Sequence, residues 1–293
     1  MYATMTVAAG KNNMLAFFYD LPELVFLQNA LIASLLCSVT SGIVGTYVVL
    51  RRISYIAAAM AHSLLGGIGV AKYLSSVYGI KWMTPQLGAL IAGLLSAAVI
   101  GWITLKSKER ADTVISAFWA AGMSIGIIAI HAAPGYSEDL MSYLFGNILM
   151  VSNERLWLLG IFSLILVALT ILFYRQTVSV SFDEEFAMSR GVKIEFYYMM
   201  LLVLTALTVV FSIEAVGILM VFSLLTLPVA IASHFFNRVW KIMLASVLIG
   251  FVSTLSGLVV SYALNIPSGA FTILILSSAY FFLSILAILR KGK

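Results

Sequence analysis

The stretch that decides the fold is Leu201-Leu-Val-Leu-Thr-Ala-Leu-Thr-Val-Val-Phe-Ser-Ile213, a run without a charged residue. It lacks the apolar–polar alternation that a strand of an outer-membrane barrel would show. Similar runs of about twenty residues recur, the length a helix needs to cross roughly 30 Å of hydrocarbon. Of the 293 residues, 62% are hydrophobic and 10% charged, with mean hydropathy +1.08, whereas soluble domains carry about 25% charged residues. We therefore predict an all-α, polytopic membrane protein.

Nine runs of this kind predict nine transmembrane helices. They cover approximately residues 24–50, 54–78, 86–105, 112–132, 155–174, 195–212, 215–235, 242–264 and 270–289. The connections are short compared with a folded soluble domain. We therefore predict that residues 1–293 form a single transmembrane domain.

Lysine and arginine are distributed unevenly between the two sides that these spans define. Only four of the 17 fall in one set of connections, at Lys11, Lys72, Lys81 and Arg155. Because cytoplasmic connections carry the excess of basic residues, we expect the N-terminus outside and the C-terminus in the cytoplasm. The basic residues lie at helix ends rather than along one stripe, so we predict no nucleic-acid partner.

The predicted cytoplasmic connection from Arg175 to Lys193 has the pattern of a short amphipathic helix. Ser181 or Asp183 can cap it, acidic residues fill its first turn, and Gly191 can end it. Its apolar side chains are compatible with docking to another protein and equally with an ordinary solvated loop.

His62 is the titratable side chain of the second apolar run. A titratable group inside a membrane helix is costly and indicates a function, although a buried histidine bonded to a neighbouring backbone is the structural alternative. Gly66 and Gly67 follow, and they predict either a hinge or a close-packing surface. Pro228, inside another span, is expected to kink its helix.

Candidate polar residues also lie at the predicted outer side. His131 stands near the end of the fourth span, close in sequence to Glu138 and Asp139. The three side chains could attract a cation, but such residues are more often simply solvated. Glu214, at an outer turn, could meet the ion or a delivery protein, or cap the following helix. We favour capping for Glu214.

Four stretches, in this order, resemble the permease subunit of the ABC importers for zinc, manganese and iron(II). They are Gly42–Ser54 running into Ala61–Gly67; Leu144-Phe-Gly-Asn-Ile-Leu149; Phe182-Asp-Glu-Glu-Phe-Ala187 with Gly191 and Val192; and Val216–Val221 through Pro228, followed by Ser261–Tyr262 and Asn265–Ala270. Each stretch alone is weak evidence, but the ordered set covers most of the chain and is specific.

The resemblance implies a fold related to the cobalamin and siderophore permeases. It implies a homodimer with a path near the two-fold axis, two cytoplasmic ATPase subunits and an external metal-binding protein. Residues 176–193 correspond to the segment that couples the permease to its ATPase. The coupling residues implied are Phe182, Asp183, Glu184, Glu185, Phe186, Ala187, Arg190 and Gly191.

One departure from the family pattern concerns the metal path. The family helix usually carries an Asp four residues before the histidine, on the same helical face; here that residue is Ala58. The missing carboxylate weakens the case for a hard cation such as manganese, because imidazole suits zinc, copper, iron and nickel better.

These observations predict the permease subunit of an ATP-driven importer of zinc, manganese or iron in the bacterial cytoplasmic (inner) membrane. The sequence has no phosphate-binding loop motif, so ATP hydrolysis is expected on a partner chain. We expect no enzymatic activity and no permanently bound cofactor. Three alternatives remain: a transporter driven by an ion gradient, a membrane enzyme with His62 as base, and an ABC permease for a metal chelate.

Overall fold

The computed structural model describes residues 14–106, 111–134, 145–146, 148–264 and 266–291. The α-helices within these ranges are α1 (Met14–Asp20), α2 (Val25–Leu50), α3 (Ser54–Tyr78), α4 (Pro85–Lys106), α5 (Ala111–Ala132), α6 (Asn153–Phe182), α7 (Glu184–Ser189), α8 (Ile194–Val216), α9 (Ile218–Ser233), α10 (Val239–Leu264) and α11 (Ser268–Lys291). A 3-10 turn at Ile148–Met150 precedes α6. The described residues contain no strand, so the all-α prediction is confirmed.

Eight of the nine predicted spans coincide with helices that are long and apolar enough to cross a membrane. The run predicted at 215–235 contains the end of α8, Gly217 and the 16-residue α9. At about 1.5 Å per residue, α9 is about 24 Å long, which is short of the roughly 30 Å hydrocarbon layer. The helix continues through Pro228 without a break.

The fifth predicted span is too short, since α6 runs from Asn153 to Phe182. The Ser152 side chain caps its first turn by accepting a hydrogen bond from the Arg155 amide at 3.5 Å. Residues 176–182, assigned from sequence to the cytoplasmic connection, therefore belong to α6. Hydropathy indicates where the apolar stretch ends, but backbone hydrogen bonding can carry a helix further into water.

The helices pack as two groups around α2 and α3. Helix α2 is largely buried and contacts α6, α8, α9 and α10, whereas α3 packs against α4 and α5. Glycines allow the second group to approach closely: a Cβ at Gly67 of α3 would lie 2.1 Å from the Gly88 carbonyl oxygen of α4. A real Cβ could not lie so near the oxygen, so the two backbones pack too closely to admit a side chain at this position.

Helices α8 and α9 are joined only by Gly217, whose φ of +78° lies in a region that favours glycine. Gly146, with φ +67°, lies against this junction. A Cβ on Gly146 would come within 2.3 Å of the Gly217 nitrogen. The second and fourth family-like stretches, far apart in sequence, therefore meet where the chain turns from α8 into α9.

Candidate functional site

The His62 imidazole lies on α3 and stacks on the Trp119 indole of α5. The ring centroids are 4.6 Å apart and the planes are inclined by 12°. The side chain is half-buried, and its buried Nδ1 has no hydrogen-bond partner among the described residues. Buried polar atoms without partners are uncommon, so this nitrogen is available to a proton, a water or a metal ion. The bond to a neighbouring backbone that the structural alternative requires is not present at Nδ1.

The immediate surroundings of His62 do not complete a metal site. Ala58, one turn earlier on α3, is buried and offers no ligand oxygen. The Ser63 and Ser96 hydroxyls hydrogen-bond to each other at 2.7 Å, across α3 and α4. Within the part of the chain that the structure describes, no three histidine, cysteine or acidic side chains are grouped as for a metal ion. The described residues of one chain therefore supply a single strong donor here.

Gly66 and Gly67 lie where α3 contacts two different helices, α5 and α4 respectively. A Cβ at Gly66 would lie 2.7 Å from the Gly122 carbonyl oxygen of α5, while Gly67 faces the Gly88 carbonyl of α4. Both glycines therefore mark close backbone contact on either side of the helix that carries His62. Any rotation of α3 must move α4 and α5 with it or separate them.

The structure describes two of the outer candidate residues, Glu214 and His131, near the ends of α8 and α5. Glu214, near the end of α8, forms an ion pair with Arg155 on α6, with 3.0 Å between Oε2 and Nε, and its side chain is 19% exposed. It does not cap α9, because the N-cap of that helix is Gly217 with no side-chain hydrogen bond. The capping interpretation is therefore wrong: the carboxylate turns towards the nearest cation. His131 is exposed in the last turn of α5, and Glu138 and Asp139 lie outside the described residues.

The short helix predicted between Arg175 and Lys193 is α7, Glu184–Ser189. Asp183, rather than Ser181, is its N-cap, with Oδ1 accepting a hydrogen bond from the Phe186 amide at 2.9 Å. Ser181 instead donates to the Thr177 carbonyl of α6 at 2.6 Å. Glu184 and Glu185 occupy the first turn of α7, where carboxylates oppose the positive end of the helix dipole.

The end of α7 is a Schellman motif. The Val192 amide donates to the Ala187 carbonyl at 3.1 Å, and the Gly191 amide donates to the Met188 carbonyl at 2.9 Å. Gly191 has φ +75°, as this motif requires. Arg190 is the C-cap, and its guanidinium carbon lies 5.3 Å from the centre of the Phe186 ring.

Helix α7 presents apolar side chains to the surroundings. Phe182 at the end of α6, with Phe186 and Met188 of α7, are all more than half exposed, whereas Ala187 is fully buried and anchors the helix. Exposed large apolar groups on a charged surface helix are typical of a docking surface.

Arg51, a basic residue at the end of α2 within the family-like stretch Gly42–Ser54, makes contacts that its local sequence does not predict. Its guanidinium forms an ion pair with Glu184 of α7 and lies 4.6 Å from the centre of the Tyr198 ring of α8. The side chain is 11% exposed. The signal available in the sequence was a pair of arginines immediately before the helix that carries His62.

The described residues thus define a class of protein: a polytopic helical membrane protein with a short, capped helix that exposes apolar side chains, and a histidine inside a span whose Nδ1 has no hydrogen-bond partner among the described residues. The chain belongs to the ABC 3 transport family, whose model matches residues 23–287. It is therefore a permease subunit rather than an enzyme, and a multi-pass protein of the bacterial inner membrane.

Known proteins that are similar to this chain agree with that assignment. An uncharacterised membrane protein of Synechocystis is 38% identical over 87% of this chain and 88% of its own length. A protein of Streptococcus parasanguinis named manganese import system permease protein ScaB is 35% identical over 92% of this chain and 93% of its own. The solved structure of PsaBC from Streptococcus pneumoniae, in complex with Fab, has a TM-score of 0.81 at 30% identity, covering 92% and 95% of the two chains.

Proposed function

We propose that this chain is the membrane-spanning subunit of an ATP-driven importer of divalent transition-metal ions, with His62 on the ion path. The observation that carries the proposal is the unpartnered, buried Nδ1 of His62 within a span. A histidine nitrogen without a hydrogen bond inside a membrane protein is a candidate to bind a metal ion or a proton. The names of similar proteins, which refer to manganese and to import or transport, support the same cargo class.

The proposed path needs more ligands than the described residues of one chain provide. A second copy, related by a two-fold axis, would bring a second His62, and waters would complete the coordination shell. A sparse shell suits transport, since an ion that binds too tightly is not released. The homodimer is therefore part of the proposal, as are the external metal-binding protein and the cytoplasmic orientation of α7.

The energy source in this proposal is ATP hydrolysed on a partner subunit that docks on α7. The cap at Asp183, the Schellman end at Gly191 and the exposed Phe186 and Met188 favour a rigid docking helix. Force from the ATPase would reach the bundle through α6 and α8, between which α7 is inserted.

The test is metal uptake by the complete importer in a strain that lacks its own metal importers. The chain is expressed with its ATPase and its external binding protein, and uptake of manganese, zinc and iron(II) is compared between wild type and His62→Ala. We expect ATP-dependent uptake that falls at least tenfold in the variant. Unchanged uptake would remove His62 from the path, and uptake without the ATPase would favour a transporter driven by an ion gradient.

The choice of metal is tested by restoring the absent carboxylate. Ala58→Asp places an oxygen ligand one turn from His62, on the same face of α3. Because carboxylates suit manganese better than imidazole does, we expect the ratio of manganese to zinc uptake to rise. Ala58→Leu is the matched control, with a similar size and neither a charge nor a ligand oxygen. An equal change in both variants would show that packing, not charge, sets the ratio.

A further inference from the structure

The turn between α2 and α3 is built to hold a fixed orientation. The Ile53 amide donates to the Val48 carbonyl at 3.0 Å, and the Arg52 amide donates to the Val49 carbonyl at 3.0 Å. These two bonds form a Schellman motif that ends α2, with Arg52 at the left-handed position, φ +58°. Helix α3 begins at Ser54, directly after the motif. The turn therefore joins α2 and α3 without a flexible linker.

Arg51 connects this turn to α7. It is the last residue before the left-handed position, and its guanidinium pairs with the Glu184 carboxylate in the first turn of α7. The Tyr198 ring of α8, whose centre lies 4.6 Å from the guanidinium carbon, supports the same group from another side. A planar guanidinium can make both contacts at once, which an ammonium group does less well. One side chain thus links the turn before α3, the docking helix and α8.

The surroundings leave this link free to respond to a partner. A cavity of about 660 Å³ borders Arg51, Arg52 and Glu184. Arg51 is 11% exposed, but Glu184 is 55% exposed, so the buried end of the ion pair is in the bundle and the exposed end is on α7. Displacement of α7 would therefore pull on or release the α2–α3 turn.

We propose that Arg51 is a positioning residue that transmits movement of α7 to α3, and so to His62. This inference rests on the proposed function, in which α7 docks an ATPase and α3 carries the ion path. It adds a route by which movement passes from Glu184 to Arg51 and then through the rigid turn into the first residues of α3. The direct alternative, in which α7 acts only through the helices it follows and precedes, does not require Arg51.

The test separates assembly from coupling in the complete importer. Arg51→Ala and Glu184→Gln are compared with wild type for co-purification of the ATPase, ATP hydrolysis and metal uptake. Because the exposed apolar side chains remain, we expect both variants to retain the ATPase. An exposed ion pair shifts an equilibrium by about two- to fivefold, so we expect Glu184→Gln to lower uptake per ATP hydrolysed by about that factor. Arg51→Ala, which also loses the Tyr198 contact, should lower it by about fivefold or more.

Reversing both charges of the Arg51–Glu184 ion pair distinguishes a specific effect of that pair from a general loss of structure. Arg51→Glu sets two carboxylates against each other and should be the most impaired single variant, and adding Glu184→Arg should recover part of the uptake. Arg51→Lys should be intermediate. Arg52→Ala is the matched control, since it removes a neighbouring, exposed arginine that has no ion pair among the described residues, and it should leave coupling unchanged.

Two results would overturn the inference. One is wild-type uptake per ATP in Glu184→Gln, which changes an exposed group and cannot unfold the bundle. The other is a double variant, Arg51→Glu with Glu184→Arg, whose metal uptake is no higher than that of Arg51→Glu alone. If the wild-type complex itself shows neither ATPase co-purification nor ATP-dependent metal uptake, the proposed function fails, which is a separate outcome.

Discussion

Gly191→Ala is the substitution for which the structure gives the simplest energetic argument. Gly191 has φ +75° at the end of α7, and a Cβ built there meets no atom within 4 Å. Steric clash with neighbours is therefore absent, and only the backbone conformation matters. A left-handed conformation costs an L-residue roughly 1–2 kcal/mol. Alanine has a lower conformational entropy than glycine when α7 is unfolded, and this difference offsets about 0.4–1 kcal/mol of the cost.

The net destabilisation of α7 is therefore about 1 kcal/mol, which corresponds to about a fivefold change in an equilibrium. We expect the amides of residues 184–192 to exchange with deuterium about fivefold faster in Gly191→Ala, measured by mass spectrometry on the purified protein. Co-purification of the ATPase should weaken in parallel, because its docking helix is less often formed.

Gly79→Ala is the matched control. Gly79 ends α3 with φ +67°, and a Cβ there also meets nothing within 4 Å. The local backbone cost is the same, but the site is at the other end of α3 from the turn that contacts α7. Exchange should rise around residue 79 and stay unchanged in α7. If Gly191→Ala left exchange in α7 and ATPase retention at wild-type values, the Schellman motif would not be what holds this helix.

Three further predictions concern packing and the environment of His62. Gly67→Ala places a Cβ 2.1 Å from the Gly88 carbonyl oxygen and should destabilise the fold by about 3 kcal/mol or more, seen as a lower melting temperature in detergent. Arg52→Gly removes the steric cost of a left-handed backbone conformation after α2. It should raise the free energy of unfolding by up to about 1 kcal/mol and the melting temperature by a few degrees. Trp119→Ala removes the ring stacked on His62 and should lower metal uptake, whereas Trp119→Phe should retain most of it.

Each of these has an outcome that contradicts it. Gly160→Ala is the control for the packing prediction, since the neighbouring atom nearest to a Cβ there is Leu36 Cδ1, at 3.9 Å. Equal losses in both variants would refute the argument from close contact. A destabilised Arg52→Gly would show that the arginine side chain matters more than its φ. Equal uptake in Trp119→Ala and wild type would mean that His62 needs no stacking partner.

Much of the architecture was predictable, because lipid imposes a simple rule on sequence. Runs such as Leu201–Ile213 must satisfy their backbone internally, so helices followed directly from hydropathy. The cap at Asp183 and the end at Gly191 were readable for a similar reason, since their conformational requirements are local. The end of α6 was not predictable, because the helix extends past the apolar run to Phe182.

The candidate site was only partly predictable. His62 was identifiable as a titratable group in a span, but its stacking on Trp119 depends on how α5 lies against α3. Glu214 was misread as a cap because its partner, Arg155, belongs to another helix. Arg51 was counted as a topology signal, and its contacts with Glu184 and Tyr198 come from segments far away in the chain.

The sequence by itself determined the class of this protein: a helical membrane permease whose spans, caps and lone histidine follow from local composition and from a family-like order of motifs. The tertiary structure decided which of those residues act on one another. Helix ends and apolar runs depend on neighbours within a few residues, whereas an ion pair, a stacked ring or a glycine contact depends on the mutual placement of whole helices. That placement is set by the sum of many weak packing contacts, and no short stretch of sequence contains it.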